Sequence, residues 1–162
     1  MKALRFLAWT LGAIVVAVAV LAFVARFHDG PLVEMLPGGP LTSGEWEPDG
    51  DVDFSFARDT EKIELETGGR SRWVWIVTEG HDAFVPASLS FPPLKRWHRE
   101  ALEDPEAVVR IDGRRYHRRV EKVEDPALHR RLVAAVRAKY ANVPASGPDD
   151  VWFFRLAPAE VP

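Results

Sequence analysis

A long apolar stretch without charge opens the chain. Phe6–Ala25 holds twenty residues with no charged side chain. At about 1.5 Å of helical rise per residue it spans the roughly 30 Å hydrocarbon core of a bilayer. It exceeds the roughly 7–15 apolar residues of a signal-peptide core, and its best cleavage site, Val20-Leu21-Ala22, is poor. The pattern predicts an uncleaved membrane helix over residues 6–25, with a cleavable signal peptide as the alternative.

Basic residues around this stretch favour a cytoplasmic N-terminus. Lys2, Arg5 and the α-amino group precede it, whereas Arg26 and a mostly neutral His28 follow. Positive charge is enriched on the cytoplasmic side of membrane helices. We therefore expect a single-pass membrane protein anchored by residues 1–28, with its soluble domain outside the cytoplasm.

The remainder of the chain alternates between polar and apolar positions in a pattern typical of a small mainly β domain with some α-helix. Period-two alternation indicates strands, and apolar spacings of three and four indicate helices. The predicted order is β-β-β-α-β-β-α-β, with strands over 61–67, 72–78, 83–87, 107–111, 115–123 and 151–156 and helices near 93–103 and 126–140. Buried parallel βαβ runs are missing from this pattern, which disfavours a doubly wound nucleotide fold. The pattern favours a small antiparallel barrel with two helices.

Glycine and proline mark the boundary between the anchor and this domain. Residues 29–44 are dense in both, so they are expected to form a structured linker or a surface-hugging arm. The domain itself is assigned to residues 45–162. Within it, Asp112-Gly113 predicts a tight hairpin turn, and Asp125 is expected to cap the second helix, with Pro126 at its first position.

Composition excludes several functions. The chain contains no Cys, which rules out disulfide scaffolds, thiolate metal sites and iron–sulfur clusters. Its formal net charge is −3, whereas a nucleic-acid binder is usually basic. We therefore expect no nucleic-acid partner.

Charge is unevenly distributed along the chain. Residues 45–66 contain nine acidic and two basic side chains. The opposite sign is concentrated in one later cluster, Arg110, Arg114, Arg115, His117, Arg118 and Arg119. One hypothesis is a phosphate or headgroup site, because Arg binds oxyanions in bidentate fashion. The favoured alternative is a solvated strand face that pairs with the acidic segment and discourages edge-to-edge aggregation.

No motif specifies a catalytic or metal site. Asp49, Asp51 and Asp53 alternate as in a calcium loop, but Phe54 replaces the turn glycine and Thr60 the bidentate Glu. The five His are scattered without an HExxH motif, and no G-x-S-x-G nucleophile elbow is present. We therefore predict no metal site and name no catalytic residue.

Several short motifs follow one another in the order seen in a known superfamily. They are Asp53-Phe54-Ser55-Phe56, Ile63-Glu64-Leu65-Glu66-Thr67, Gly69-Arg70-Ser71, Ala87-Ser88, Lys95-Arg96-Trp97-His98, Asp104-Pro105, Val109-Arg110-Ile111-Asp112-Gly113-Arg114-Arg115-Tyr116 and Ala138-Lys139-Tyr140. This part of the chain resembles the split β-barrel superfamily, which includes pyridoxamine-phosphate-oxidase-like flavoproteins and deazaflavin-dependent nitroreductase-like proteins. The resemblance implies a homodimer with a flavin such as FMN, or a deazaflavin, in a groove between protomers. Carried over by position, the groove would be lined by Arg70, Ser71, Ser88, Lys95 and Trp97.

Two functions follow as expectations. The first is a membrane-tethered split-barrel domain that binds a flavin-like or deazaflavin cofactor for redox chemistry. The second is a non-catalytic module of the cell envelope that docks another protein. Two departures from the family pattern bear on the first: the loop with Arg70 and Ser71 runs directly into the bulky Trp73 and Trp75, and an extracytoplasmic domain needs an exported cofactor. An open groove favours the first function, and a filled groove favours the second.

Overall fold

The computed structural model describes residues 2–33, 36–92, 95–140 and 150–159. Its helices and strands follow this order: α1 (Lys2–Ala25), β1 (Glu45–Trp46), a 3₁₀ helix (Phe54–Asp59), β2 (Lys62–Thr67), β3 (Arg70–Trp75), β4 (Val77–Glu79), β5 (Asp82–Ser88), α2 (Trp97–Glu103), β6 (Glu106–Ile111), β7 (Arg114–Lys122), α3 (Pro126–Lys139) and β8 (Val151–Pro158). Mainly β structure with a few helices, as the alternation predicts, is confirmed.

The strands of the described residues form one curled sheet. Their order is β3-β2-β6-β7-β8-β5-β4, and every neighbouring pair on this path is antiparallel. The short β1 lies off the path and pairs in parallel with the start of β7. β3 and β4, the two ends of the path, are consecutive in the chain and separated only by Ile76. Because one continuous segment supplies both ends, the sheet curls into a half-barrel, which supports the predicted split-barrel fold.

Apolar side chains on the inner face of the sheet form the main core. Alternation along each strand places one residue in two inside, as with Ile63 and Leu65 of β2. The core is completed from β6, β7, β8, α2 and the 3₁₀ helix by buried residues that include Val109, Ile111, Tyr116, Val120, Phe154, Leu156, Trp97 and Phe54. A second, smaller cluster lies under α3 and contains Val77, Phe84, Leu132, Val136 and Phe153.

The end of α3 closes the seam between β3 and β4. The Ile76 N–H donates to the Tyr140 hydroxyl (3.1 Å), and that hydroxyl lies 2.8 Å from the Ile76 carbonyl oxygen. Lys139 Nζ donates to the same carbonyl (2.9 Å), and the Tyr140 ring stacks on Trp75 with a centroid separation of 4.5 Å. The side chains of Lys139, the last residue of α3, and of Tyr140, which follows it, thus satisfy the Ile76 backbone groups that the break in the strand leaves without ladder partners.

Several elements differ from the sequence predictions in their bounds or were not predicted. The predicted strand over 72–78 is divided at Ile76, and neither β1 nor the 3₁₀ helix was predicted. The first barrel helix is α2, which begins at Trp97, while residues 93–94 of the helix predicted near 93–103 lie outside the described residues. The Asp125 cap is confirmed, since its carboxylate accepts from the N–H of Ala127 at 2.8 Å.

α1 is long and apolar enough to cross a membrane by length and composition. The candidate span is Arg5–Ala25, and none of its most apolar window is buried against the rest of the chain. Its last residue, Ala25, is buried.

Candidate functional site

Residues 36–44 lie along the exposed edge of β3 and engage two of the predicted site residues. Arg70 donates from Nε to the Gly38 carbonyl (2.8 Å) and from Nη2 to the Pro37 carbonyl (2.9 Å). Ser71 is buried, and its hydroxyl donates to the Gly39 carbonyl at 2.6 Å. The backbones also pair, since Gly38 N–H donates to the Ser71 carbonyl at 2.9 Å. The polar groups of Arg70 and Ser71 are therefore occupied by the chain's own arm.

A carboxylate at the start of the arm fastens it to the sheet. Asp29 accepts from the N–H of Thr42 (2.7 Å), from the Ser43 hydroxyl and from Arg110 Nη1 (3.0 Å). Partial burial raises the pKa of Asp29, but hydrogen bonds from Ser43, Thr42 and Arg110 outweigh it and hold the pKa well below its usual range. Asp29 is therefore ionised at neutral pH and completes an ion pair with β6.

Glycines allow the arm to pack against the end of α1. A Cβ on Gly38 would lie 1.7 Å from the Gly30 carbonyl oxygen, and one on Gly39 would lie 2.4 Å from that of Arg26. The Gly39 N–H donates to the His28 carbonyl at 2.9 Å. These contacts join the segment after α1 to the β3 edge through backbone groups, so the described residues of 29–44 pack beside this edge as an arm.

Ser88 and Lys95, two other predicted site residues, lie together. Lys95 Nζ donates to the carbonyl oxygens of Ser88 and Phe91, the latter at 3.0 Å. The Ser88 hydroxyl accepts from the Phe91 N–H at 3.1 Å. Burial, with the nearby charge of Arg72, lowers the pKa of Lys95 to about 8. The ammonium group is thus partly desolvated and is bonded to neutral acceptors.

Arg72 supplies a second desolvated cation that was not predicted from the sequence. Its position opposite Leu65 places it on the inner face of β3, and it donates from Nη1 to the Thr67 hydroxyl. Burial lowers its pKa to about 10; the charge of Glu100 opposes this shift, and that of Arg70 adds to it. Within the described residues, no carboxylate forms an ion pair with Arg72 or Lys95.

Trp97, the fifth predicted residue, is packed in the core beside Arg72. The Arg72 guanidinium lies 5.5 Å from the Trp97 ring centroid, and the Phe154 ring lies 5.5 Å away. The next residue, His98, is 1% exposed, and neither of its ring nitrogens has a hydrogen-bond partner within the described part of the chain. Its ring meets Trp152 edge-on at 5.4 Å. We call Arg72, Ser88, Lys95 and His98 the Arg72–Lys95 site.

This arrangement suits an oxyanion. The Arg72 guanidinium and the Lys95 ammonium group are partly withdrawn from water, and such groups form stronger charge-assisted hydrogen bonds than exposed ones do. Arg72 could have been found from its register, because a strand that places Val74 inside also places Arg72 inside.

The basic cluster at 110–119 pairs largely with the acidic segment, as the favoured hypothesis predicts. Arg114 pairs with Glu47 at 3.2 Å and His117 with Asp49 at 3.1 Å. Arg110 pairs with Glu64. Arg110 and Arg114 thus form ion pairs with the acidic segment, and His117 shares a hydrogen bond with it.

Arg118 departs from that hypothesis, which placed it on a solvated face. It is buried, and its guanidinium lies 5.3 Å from the Phe54 ring and 5.8 Å from the Tyr116 ring. Nη1 donates to the Gly50 carbonyl at 2.6 Å. Alternation along β7 explains the difference, because Tyr116, Arg118 and Val120 share the inner face.

Two other features bear on the predicted chemistry. In the parts of the chain that the structure describes, no group of three or more His, Asp or Glu side chains could hold a metal ion. Trp75, which could have filled a cofactor groove, is instead stacked on Tyr140 at the seam, while Trp73 is partly exposed on the outer side of β3.

The curled antiparallel sheet with its flanking helices defines a half-barrel of the split-barrel class. A model of the bacterial family described as "Uncharacterized protein conserved in bacteria (DUF2255)" matches residues 53–156. The chain therefore belongs to this family. No curated protein sequence matches it. Among solved structures, it is similar to a presumed pyridoxamine 5′-phosphate oxidase from Listeria innocua, at 12% identity and a TM-score of 0.48, over 66% of this chain and 90% of that one.

Proposed function

We propose that this chain is a membrane-tethered half-barrel that binds a phosphate-bearing cofactor of the flavin or deazaflavin class at the Arg72–Lys95 site. The observation that carries the proposal is the pair of partly desolvated cations, Arg72 and Lys95, which lack an ion-pair partner among the described residues. Burying a charge is unfavourable unless it is compensated. A ligand phosphate would supply that compensation.

The residues fit the phosphate end of such a cofactor. Lys95 and Arg72 would neutralise the phosphate, and Ser88, whose backbone carbonyl accepts from the Lys95 ammonium group, carries a hydroxyl that would add a hydrogen bond. The planar ring of the cofactor would not stack on Trp97, because Trp97 is buried between Arg72 and Phe154 and offers no open face. We propose that the ring lies in a groove shared with a second copy of the chain. A bound flavin or deazaflavin would supply electron or hydride transfer.

The proposed membrane tether consists of α1 and the arm. α1 would hold the domain to the membrane, with the N-terminus in the cytoplasm and the half-barrel on the other side. Because the arm is bonded along the β3 edge from Pro37 to Gly39, the half-barrel would sit directly at the membrane surface. Its cofactor site would then serve a membrane-associated or envelope partner.

The experiment is a titration of the full chain in detergent with three compounds: FMN, a phosphorylated deazaflavin and riboflavin. Visible absorption and quenching of cofactor fluorescence report binding. FMN and the phosphorylated deazaflavin should bind, and riboflavin, which lacks phosphate, should bind at least tenfold more weakly. Replacing Arg72 and Lys95 together by Gln should raise the Kd at least 100-fold, because each charge-assisted hydrogen bond contributes roughly 1.5–3 kcal/mol.

The matched control is Arg137→Gln, which removes an exposed cation from α3. This variant should bind like the wild type, and circular dichroism should show the same fold for all variants. Equal affinity of the double variant and the wild type would refute the site. Failure of every cofactor to bind would refute the proposed function.

A second candidate is a non-catalytic module that docks an envelope protein. It is favoured by the engagement of Arg70 and Ser71 with the arm and by the burial of Trp97, since three of the five predicted groove residues are occupied. An absence of cofactor binding, with the fold intact, would support this candidate.

A further inference from the structure

His98 is a buried polar group without a hydrogen-bond partner among the residues that the structure describes. It is 1% exposed, and neither Nδ1 nor Nε2 is hydrogen-bonded. Its surroundings are aromatic and basic, with Trp152 at 5.4 Å and with the charges of Lys95 and Arg99 nearby. Burial, followed by these two charges, lowers the pKa of His98, so the ring is neutral at physiological pH.

A buried polar ring without a hydrogen-bond partner lowers the stability of the folded protein. A buried donor or acceptor that lost its water without gaining a partner costs free energy, whereas an apolar side chain of the same shape does not. His129 shows the usual arrangement in this fold, because its Nε2 lies 3.0 Å from the Val151 carbonyl oxygen while its ring packs against Phe153. No described residue of the protein therefore supplies the hydrogen-bond partner that the His98 ring lacks.

We propose that His98 is a ligand-binding residue of the Arg72–Lys95 site and that the ligand is a phosphate ester with a hydroxyl close to the phosphate. The inference rests on the proposed site, but it does not require a flavin ring. A neutral imidazole offers one donor and one acceptor. The donor would bond a phosphate oxygen, while the acceptor nitrogen would receive the hydroxyl.

The placement of His98 supports this assignment. Lys95 precedes it by three residues, and the ammonium charge is close enough to act on the imidazole. Trp97 contacts both His98 and Arg72: its ring meets the His98 ring edge-on and lies beside the Arg72 guanidinium. Both nitrogens are covered, so the ligand must displace a neighbouring side chain, and the half-buried Trp152 is in contact with the ring.

The experiment compares His98→Phe with His129→Phe in the full chain in detergent. The probes are glycerol phosphate, which has a phosphate and hydroxyls but no ring, and FMN. Without ligand, His98→Phe should melt at or above the wild-type temperature, because it removes an unsatisfied polar group. Its affinity for glycerol phosphate should fall roughly 10- to 100-fold, as expected for a lost charge-assisted hydrogen bond.

The control variant should show the opposite pattern. His129→Phe loses a satisfied hydrogen bond, so it should melt below the wild type and bind both probes with unchanged affinity. His98→Gln, which keeps a donor and an acceptor, should retain binding within a few-fold. Nitrogen-15 signals of the His98 ring should shift when glycerol phosphate is added to the wild type, which provides a readout that does not depend on whether a variant folds.

The outcomes separate this inference from the proposed function. Unchanged affinity and a lowered melting temperature for His98→Phe would overturn the role of His98, even if FMN binding still depends on Lys95. Binding of glycerol phosphate with a shifted His98 signal, but no binding of FMN, would support His98 and refute the flavin proposal. No binding of either probe and no shift would overturn both.

Discussion

Replacing Arg110 by Met tests whether one guanidinium joins the arm, β2 and β6. Arg110 donates to Glu64 Oε1 (2.8 Å), to Asp29 Oδ1 (3.0 Å) and to the Ser43 carbonyl (3.1 Å). The Arg110 and Glu64 side chains are 12% and 13% exposed, and that of Asp29 is 33% exposed. Breaking a fully buried pair costs about 3–5 kcal/mol. Because solvent partly screens Asp29, we expect a loss near the lower end, about 3 kcal/mol.

The assay is urea unfolding of the full chain in detergent, followed by tryptophan fluorescence. With a slope of about 2 kcal/mol per M, the midpoint should fall by about 1.5 M. The control is Arg114→Met on the neighbouring strand, whose side chain is 62% exposed and pairs with Glu47 at 3.2 Å. A surface pair contributes about 0–1 kcal/mol, so this midpoint should move by less than about 0.5 M. Equal shifts for the two variants would refute the reasoning.

The same network should make stability depend on pH through Asp29. Its pKa is lowered in the folded protein, because hydrogen bonds from Ser43, Thr42 and Arg110 outweigh the effect of burial. The unfolded chain therefore binds the proton more readily, and the stabilisation is complete above the unfolded pKa of about 4 and is lost as pH falls below it. Asp29→Asn should show a smaller loss of stability between pH ~5 and pH ~3. An identical acid dependence in both proteins would contradict this assignment.

Two further predictions concern the seam and the arm. Tyr140→Phe removes the acceptor of the buried Ile76 N–H and should destabilise the protein by about 1–3 kcal/mol in urea unfolding; a change below about 0.5 kcal/mol would contradict a role in closing the seam. Gly38→Ala places a Cβ 1.7 Å from the Gly30 carbonyl oxygen and should speed limited proteolysis within residues 29–44. Gly12→Ala, whose Cβ meets nothing within 4 Å, should leave the digestion pattern unchanged.

Much of the local structure could be predicted because it depends on neighbours in the chain. The Asp112-Gly113 turn has positive φ at both residues, 50° and 79°, as a two-residue hairpin loop requires. The Asp125 cap depends on backbone groups only two and three residues away. The apolar length of α1 is likewise readable directly from the sequence.

The candidate site was only partly predictable. Ser88 and Lys95 lie seven residues apart, and the structure brings them together. Arg72 and His98 were missed because their significance lies in what surrounds them, a desolvated cation in one case and an unpartnered ring in the other. Neither property is visible in a pattern of residue types. The binding roles of Arg70, Ser71 and Trp97 remain predictions.

The sequence by itself thus determined the membrane-length helix, the strand alternation, the hairpin turn and the helix cap, since each follows from contacts within a few residues. Only the tertiary structure decided which strand edge the described part of the predicted arm contacts and that the strand over 72–78 breaks at Ile76. The arm depends on the pairing of Arg110 with Asp29, 81 residues apart, and the break depends on the Tyr140 hydroxyl, 64 residues from Ile76. Such contacts form only when the curled sheet brings distant segments together, and local pattern carries no information about which distant partner a side chain will meet.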